Sequence, residues 1–520
     1  MDQDRLQILI SMCSYLVLVI VIGLYYAKRA NENSENYFIG GRTLGPWITA
    51  LSAEASDMSG WLLMGLPGVA YFFGFSDAFW TAAGLSVGTY LNWLFVAERL
   101  RHYSTVAGDA ITVPDYLSNR FKENKKVIMT IAALFILIFF TVYASSCFVT
   151  VGKLFSTIFG LSYQGMMIVG AIFVLFYTIL GGFLAESASD FLQAIVMIFA
   201  LVTVLIVSFV KGGGADTIMD NVRNIPGFFD FFGIAQPVIQ NGEQVVEGSK
   251  PLFGSAGKYG FLTIISTLSW GLGYFGMPQV LIRFMAIRDS KEIGKSRRIA
   301  IVWCVISLIA AVSIGLIGRA LYPAALLTQS AAENIFVVIS TRLMPPLVAG
   351  VVMAGILAAT ISSSDSYLLI ATSAISKNLF QGVLKKDATD KQVMLVSRII
   401  MLLIAFVGVL IALDENSIIF KVVSFAWAGF GATFGPIILF SLFWKRTNQT
   451  GAILGMLSGG ITVFVWKLLI RPLGGVFDIY ELLPAFIVSC IVIVIASLAT
   501  PKPSDEILNE FDMVKAMKES

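Results

Sequence analysis

Apolar runs of roughly 20 residues recur along the whole chain, separated by short connections that hold most of its charge. About 20 residues is the length an α-helix needs to cross some 30 Å of hydrocarbon. With 57% of the 520 residues apolar and 13% charged, the composition is not that of soluble domains. A bilayer is the solvent that fits, and the expected fold is an all-α polytopic membrane protein. The first run, roughly Gln7 to Ala27, is too long for a secretory signal. Its flanks are also reversed, with Asp2 and Asp4 outweighing Arg5 before it and Lys28 and Arg29 after it.

Set against the charged punctuation, the apolar runs give about thirteen spans, centred roughly on residues 17, 58, 88, 140, 171, 199, 271, 310, 357, 403, 431, 460 and 489. Lys and Arg concentrate in short cytoplasmic loops. Here they follow every odd-numbered span except the fifth: Lys28, Arg29 and Arg42, then Arg99, Arg101, Arg120, Lys122, Lys125 and Lys126, then Arg288 to Arg298, Lys377 to Lys391, and Lys445 with Arg446. This places the N-terminus outside and the C-terminal tail, with Lys502, Lys515 and Lys518, in the cytoplasm. The longest outer connection, about Gly212 to Lys258, has room for a short helix but not for a domain core.

Several function classes are excluded. The net charge of +3 is too small to imply nucleic acid. The cysteines Cys13, Cys147, Cys304 and Cys490 lie in apolar runs without CxxC spacing, and the single histidine, His102, sits beside Arg101, where a solvated connection is expected. A membrane enzyme would want clustered His, Cys or paired carboxylates around a cavity, so no enzyme is expected, and no obligate protein partner.

A backbone in lipid must satisfy its own hydrogen bonds, so spans that break helical rules are the informative ones. The second carries Ser52, Glu54, Ser56, Asp57, Ser59 and Gly60, then Gly65, Pro67 and Gly68. A carboxylate at bilayer depth costs at least about 2.5 kcal/mol on insertion scales, so Asp57 either serves a polar interior or caps a neighbouring helix end. The seventh span carries Ser269, Gly271, Gly273, Gly276 and Pro278, with Trp270, Tyr274 and Pro278 at i, i+4, i+8 as one stripe, for packing or for substrate. In the ninth, Ala359, Ser362 and Ser363 share a helix face and offer oxygen donors, or simply close packing. The two interrupted spans are five apart, each opening a five-helix unit of opposite orientation. That is the pattern of an inverted repeat with its binding site at the midplane.

The stretch Ser52-Ala-Glu-Ala-Ser-Asp57-Met-Ser-Gly-Trp-Leu-Leu-Met-Gly-Leu-Pro67-Gly closely resembles the sodium:solute symporter family. Tyr37-Phe-Ile-Gly-Gly-Arg42, Gly181-Gly-Phe-Leu-Ala, Asp190 to Gln193, Trp270-Gly-Leu-Gly-Tyr-Phe-Gly-Met-Pro278 and Lys445-Arg446 with Gly451-Ala452 agree with it in order. The resemblance implies a leucine-transporter-type 5+5 inverted-repeat core with accessory helices. Residues 1–43 would hold the first accessory span, 44–211 the first repeat, 212–257 an outer loop, 258–446 the second repeat, 447–500 two accessory spans and 501–520 a cytoplasmic tail. It further implies a bacterial inner-membrane carrier that couples sodium entry to uptake of L-proline by alternating access. Siblings that take pantothenate, a sugar or a sialic acid stay open as alternatives, as do, from a different class, an ion channel or a membrane sensor.

Carried over by motif, sodium would meet the carbonyls of Ala55, Met58 and Ala359 and the hydroxyls of Ser362 and Ser363. Asp57, Ser59, Gly60 and Asp190 would be sodium-linked, and Tyr143, Trp270, Tyr274 and Pro278 would line the substrate pocket. Glu54 and Asp365 depart from the small and uncharged residues expected at their positions. They would alter ion affinity, admit protons or pair with a basic residue.

Overall fold

A computed structural model describes residues 2–30, 37–38 and 42–517, without the side chains of 27–30. Ile39, Gly40, Gly41, Lys518 and the side chains of Lys28 and Arg29 lie outside the described residues. Among the described residues, nine helices are long and apolar enough to cross a membrane. Two shorter apolar helices, Trp61–Phe73 and Phe261–Gly276, belong to the polar second and seventh spans, and the third span runs as helix from Phe75 to Val106 with a π-turn at Asn92–Val96.

In chain order the helices are α1 (Gln3–Ala30), α2 (Pro46–Asp57), α3 (Leu66–Phe73), α4 (Phe75–Leu91), α5 (Ala97–Val106), α6 (Val113–Arg120), α7 (Val127–Phe159), α8 (Tyr163–Lys211), α9 (Gly214–Val222), α10 (Phe261–Leu268), α11 (Pro278–Ala286), α12 (Ile293–Leu321), α13 (Gln329–Ala332), α14 (Ile335–Leu343), α15 (Pro346–Ser373), α16 (Asp390–Ile411), α17 (Ile419–Phe443), α18 (Gln449–Val465), α19 (Leu482–Ala499) and α20 (Asp505–Met517). Their ends follow local chemistry. Proline at the first turn opens α2, α11 and α15, where its missing N–H costs nothing. Thr389 and Gln392 form a capping box at α16, and Asn448 accepts from Gly451 N at α18.

The second span is α2 followed by α3. Between them Met58 leaves the helix at φ −91, ψ 79, and Trp61–Gly65 forms a π-turn. The seventh is α10, a 3-10 stretch Ser269–Gly276, an extended Met277 (φ −76, ψ 108), then α11. The fifth and sixth spans run on as α8, which bends sharply at Gly182 (φ 56, ψ −169). No other residue type fits there: that backbone region is open essentially to glycine, and a Cβ would also stand 2.7 Å from the Tyr37 ring. The long connection between the sixth and seventh spans holds α9 and three short antiparallel strand pairs (Gly233–Ile234 with Gly257–Lys258, Ile239–Gln240 with Glu243–Gln244, and Val246–Glu247 with Lys250–Pro251), more structure than the single short helix allowed for. His102, expected in a solvated connection, lies on α5 and is partly buried.

α15 is buried along nearly its whole length and packs against α8, α7 and α1. The broken helices lie beside it: α2 contacts α8, α12, α11 and α15, while the 3-10 stretch meets α17 and α4. The site therefore sits where the bundle is most enclosed.

Candidate functional site

The break in the second span frees specific carbonyls. In an unbroken helix Ser59 N would bond Ala55 O; here it turns to Asp57 O (3.2 Å), and Leu62 N turns to Ser59 O (3.0 Å) rather than to Met58 O. Ala55 O, released from the ladder, instead receives Ser362 Oγ (2.8 Å) and Ser363 Oγ (3.3 Å) from α15. Ser362 Oγ also reaches Ala359 O at 3.2 Å. Four of the five expected sodium-binding oxygens thus share one hydrogen-bonded cluster, all on buried residues, and Met58 stands at the break beside it. Carbonyls and hydroxyls of this kind are the hard neutral donors that suit a small alkali cation.

The residues expected to be sodium-linked occupy three different environments. Asp57 Oδ1 accepts from Gln279 Nε2 (3.2 Å) on α11, whereas its Oδ2 and Ser59 Oγ are buried with no hydrogen-bond partner among the described residues. Gly60 lets α7 approach: a Cβ there would lie 2.9 Å from Thr150 Cβ, with closer clashes to the rest of that side chain. Asp190 lies away from the break. It accepts from Ser52 Oγ (2.7 Å) and pairs with Arg283 Nη2 (3.2 Å). Glu54 Oε1 accepts from the Trp93 indole (3.4 Å), and Asp365 Oδ1 accepts from Ser366 N (2.8 Å). Neither carboxylate is in a salt bridge among the described residues.

The aromatic residues form a floor rather than a stripe. Tyr143 donates to Asp57 O (3.3 Å) and stacks on Tyr367 with centroids 4.2 Å apart. Trp61 Nε1 reaches the same carbonyl (3.3 Å), and its ring neighbours Trp270 at 6.3 Å. A 3-10 helix turns every three residues, so residues four apart leave a common line, and Pro278 starts a separate helix; the single α-helical stripe expected from i, i+4, i+8 does not form, although Trp270 and Tyr274 both pack on Trp427. Trp270 faces a cavity of about 840 Å³ with Phe420 and Tyr480, on the side of the bundle where Ile234 and Tyr259 of the long connection also line it. Tyr143, Tyr274 and Pro278 lie buried beneath. Trp427 ties the floor together, donating to Trp270 O (2.8 Å) and meeting Tyr274 edge to face at 5.0 Å.

Sequence reasoning missed Gln279, Trp61, Tyr367 and Trp427, which look like ordinary core residues. It also passed over Glu186 and Arg283, which form a buried ion pair. Both are charges within apolar segments, and the cost argument made for Asp57 applies equally to them.

The sequence profile of the sodium:solute symporter family matches residues 37–459. Curated relatives include the sodium/proline symporters of Staphylococcus aureus strains USA300 and COL, each 41% identical over 516 residues, which covers 98% of this chain and 96% of theirs. Among solved structures, a Na+-coupled sialic acid symporter in a substrate-bound outward-open state superposes with a TM-score of 0.76 at 18% identity, covering 96% of this chain and 99% of that one. A nucleobase-cation-symport-1 family transporter in a closed conformation gives 0.54 at 13% identity, covering 93% and 99%. These two likenesses establish the leucine-transporter-type fold.

Proposed function

The chain belongs to the sodium:solute symporter family, and from that premise we propose that it couples inward sodium movement to uptake of L-proline by alternating access. It is a sodium-coupled solute symporter, not an enzyme; the choice of proline is supported by its 41% identity, over nearly full length, to sodium/proline symporters. The observation that carries the ion site is the convergence of Ser362 and Ser363 on the freed carbonyl of Ala55. Sodium would replace those hydrogen bonds, the two hydroxyls keeping their protons but turning them away to offer lone pairs, so that the ion meets the oxygens of Ala55, Met58, Ala359, Ser362 and Ser363 and bridges α2 to α15. Asp57 shapes the break and contributes its field from a short distance, with Ser59 and Gly60 in the same turn.

For the substrate, Tyr143, Trp270, Tyr274 and Pro278 would form the binding surface, with Trp270 at the floor of the cavity and the other three buried beneath it. Aromatic faces suit the apolar pyrrolidine ring, and backbone groups released by the two breaks suit the zwitterion's ends. The repeats run over 44–211 and 258–446, and the N-terminus lies outside. The cavity above Trp270 then faces the exterior, ready to receive both solutes.

The energetics suffice. One sodium ion entering down about 100 mV releases roughly 2.3 kcal/mol, and a tenfold concentration gradient adds about 1.4 kcal/mol. At one-to-one coupling, about 3.7 kcal/mol sustains a substrate gradient of several hundred-fold. Sodium achieves coupling only through its differential affinity for the two states, which a bridge between a broken helix and a continuous one supplies.

The test is uptake of labelled L-proline into proteoliposomes under an imposed sodium gradient, with unlabelled solutes as competitors. Saturable, sodium-driven uptake displaced by L-proline is expected, and failure of L-proline to compete would rule out the substrate. The paired substitution Ser362→Ala, Ser363→Ala should raise the half-saturating sodium concentration at least about tenfold, a loss of about 1.4 kcal/mol. An unchanged sodium dependence would remove these hydroxyls from the ion site.

A further inference from the structure

On the side of the basic loops, α2 and α11 are joined end to end. Leu44 N bonds Ala286 O (3.3 Å), Arg288 N bonds Leu44 O (3.0 Å), and Arg42 Nη1 reaches Met285 O (2.5 Å). These are the halves of the two broken helices that lie beyond their breaks. Joined in this way they form one body, able to tilt as a unit because neither is continuous with its other half.

One side chain fastens that body to its neighbours. Arg283, on α11 and fully buried, donates Nε to Ser52 Oγ on α2 (3.0 Å). Its Nη2 meets Asp190 on α8 (3.2 Å), Ser366 Oγ on α15 (2.9 Å) and the Glu186 carboxylate on α8. Ser52 Oγ also donates to Asp190 Oδ2 (2.7 Å), and Ser366 Oγ donates to Glu186. Both broken helices, α2 and α11, meet α8 and α15 at this guanidinium, whose rigid fork of five donors can hold several acceptors at fixed positions.

We propose that Arg283 is a positioning residue that holds the basic-loop side of the carrier shut while the opposite cavity is open, and that its bonds to Glu186, Asp190 and Ser366 must part for solutes to leave on that side. This rests on the alternating-access reading but not on which solute is carried. The bonds within the α2–α11 body survive the opening; those from Arg283 across to α8 and α15 do not. A charge enclosed at the meeting of four helices is compatible with either state only if water reaches it when they separate.

Hydrogen exchange of the full chain in lipid nanodiscs tests this without requiring transport. Ser52→Ala and Ser366→Ala each remove one hydroxyl, and with it two hydrogen bonds of the network, and leave no carboxylate without its arginine. Each should speed amide exchange across 46–57 and 278–286 several-fold, and Arg283→Lys more so, with exchange in α18 and α19 unchanged. In proteoliposomes the same variants should show a raised KM for substrate added on the cavity side, because that state is less populated. The proposal is overturned if both serine variants keep exchange in the two segments within twofold of the parent, or if α18 and α19 accelerate equally, which would mark general loosening. The serine variants decide the matter even if Arg283→Lys does not fold.

Discussion

Asp57 O is the acceptor on which Tyr143 and Trp61 converge, each at 3.3 Å, so Tyr143 has two separable roles. Its hydroxyl fixes the carbonyl at the break, and its ring stacks on Tyr367. A single hydrogen bond contributes about 0.5–1.5 kcal/mol net, and a bond of this length belongs near the lower end. Tyr143→Phe keeps the ring, so apparent substrate affinity should fall no more than about fivefold, equivalent to about 1 kcal/mol, with little change in thermal unfolding. Tyr143→Ala also loses the stack and the buried area. It should cost about 3–5 kcal/mol of stability, read as a clear fall in unfolding temperature. If Phe and Ala behave alike in both assays, the hydroxyl alone carries the role.

Among the elements, the breaks in the second and seventh spans are legible because Gly, Pro and Ser crowd into runs that should be apolar. The serine face of α15 is legible because 359, 362 and 363 keep helical spacing in a helix that stays intact. The stripe of Trp270, Tyr274 and Pro278 fails for the complementary reason: a 3.6-residue period has no meaning inside a segment already inferred to unwind. Glu186 and Arg283 are 97 residues apart, and nothing local in the chain announces that they will meet. The turn between the fifth and sixth spans falls where the sequence separates them, but the pair Gly181-Gly182 does not by itself show which glycine takes the positive φ. Gly182→Ala should be severe, combining a strained backbone, about 1–3 kcal/mol, with collision against Tyr37. Lower folded yield in the membrane is expected, and a Tyr37→Ala partner should recover only the steric part, because the positive φ remains.

At the scale of the whole molecule, the tail beyond Pro503 adds a contact that an amphiphilic pattern alone could not place. α20 buries Ile507, Phe511 and Val514 against the basic-loop ends of the bundle. Phe511 sits 5.0 Å from the Arg99 guanidinium, 5.7 Å from that of Arg120 and 6.5 Å from the Tyr103 ring. The spacing i, i+4, i+7 is visible in the sequence; the surface it covers is made by α5 and α6, some 400 residues earlier in the chain. Ion pairs edge this contact, Lys122 with Glu506 and Glu510, and Lys445 with Asp512. The Lys445–Asp512 pair is about half exposed on both sides, so it contributes about 0–1 kcal/mol. The buried ring should dominate: Phe511→Ala is expected to cost about 3 kcal/mol or more of docking and to open α20 to limited proteolysis between 505 and 517. Lys445→Glu should leave cleavage within about fivefold of the parent, since it disturbs only the exposed rim. The reverse ranking would mean that charge rather than the aromatic contact holds the tail in place.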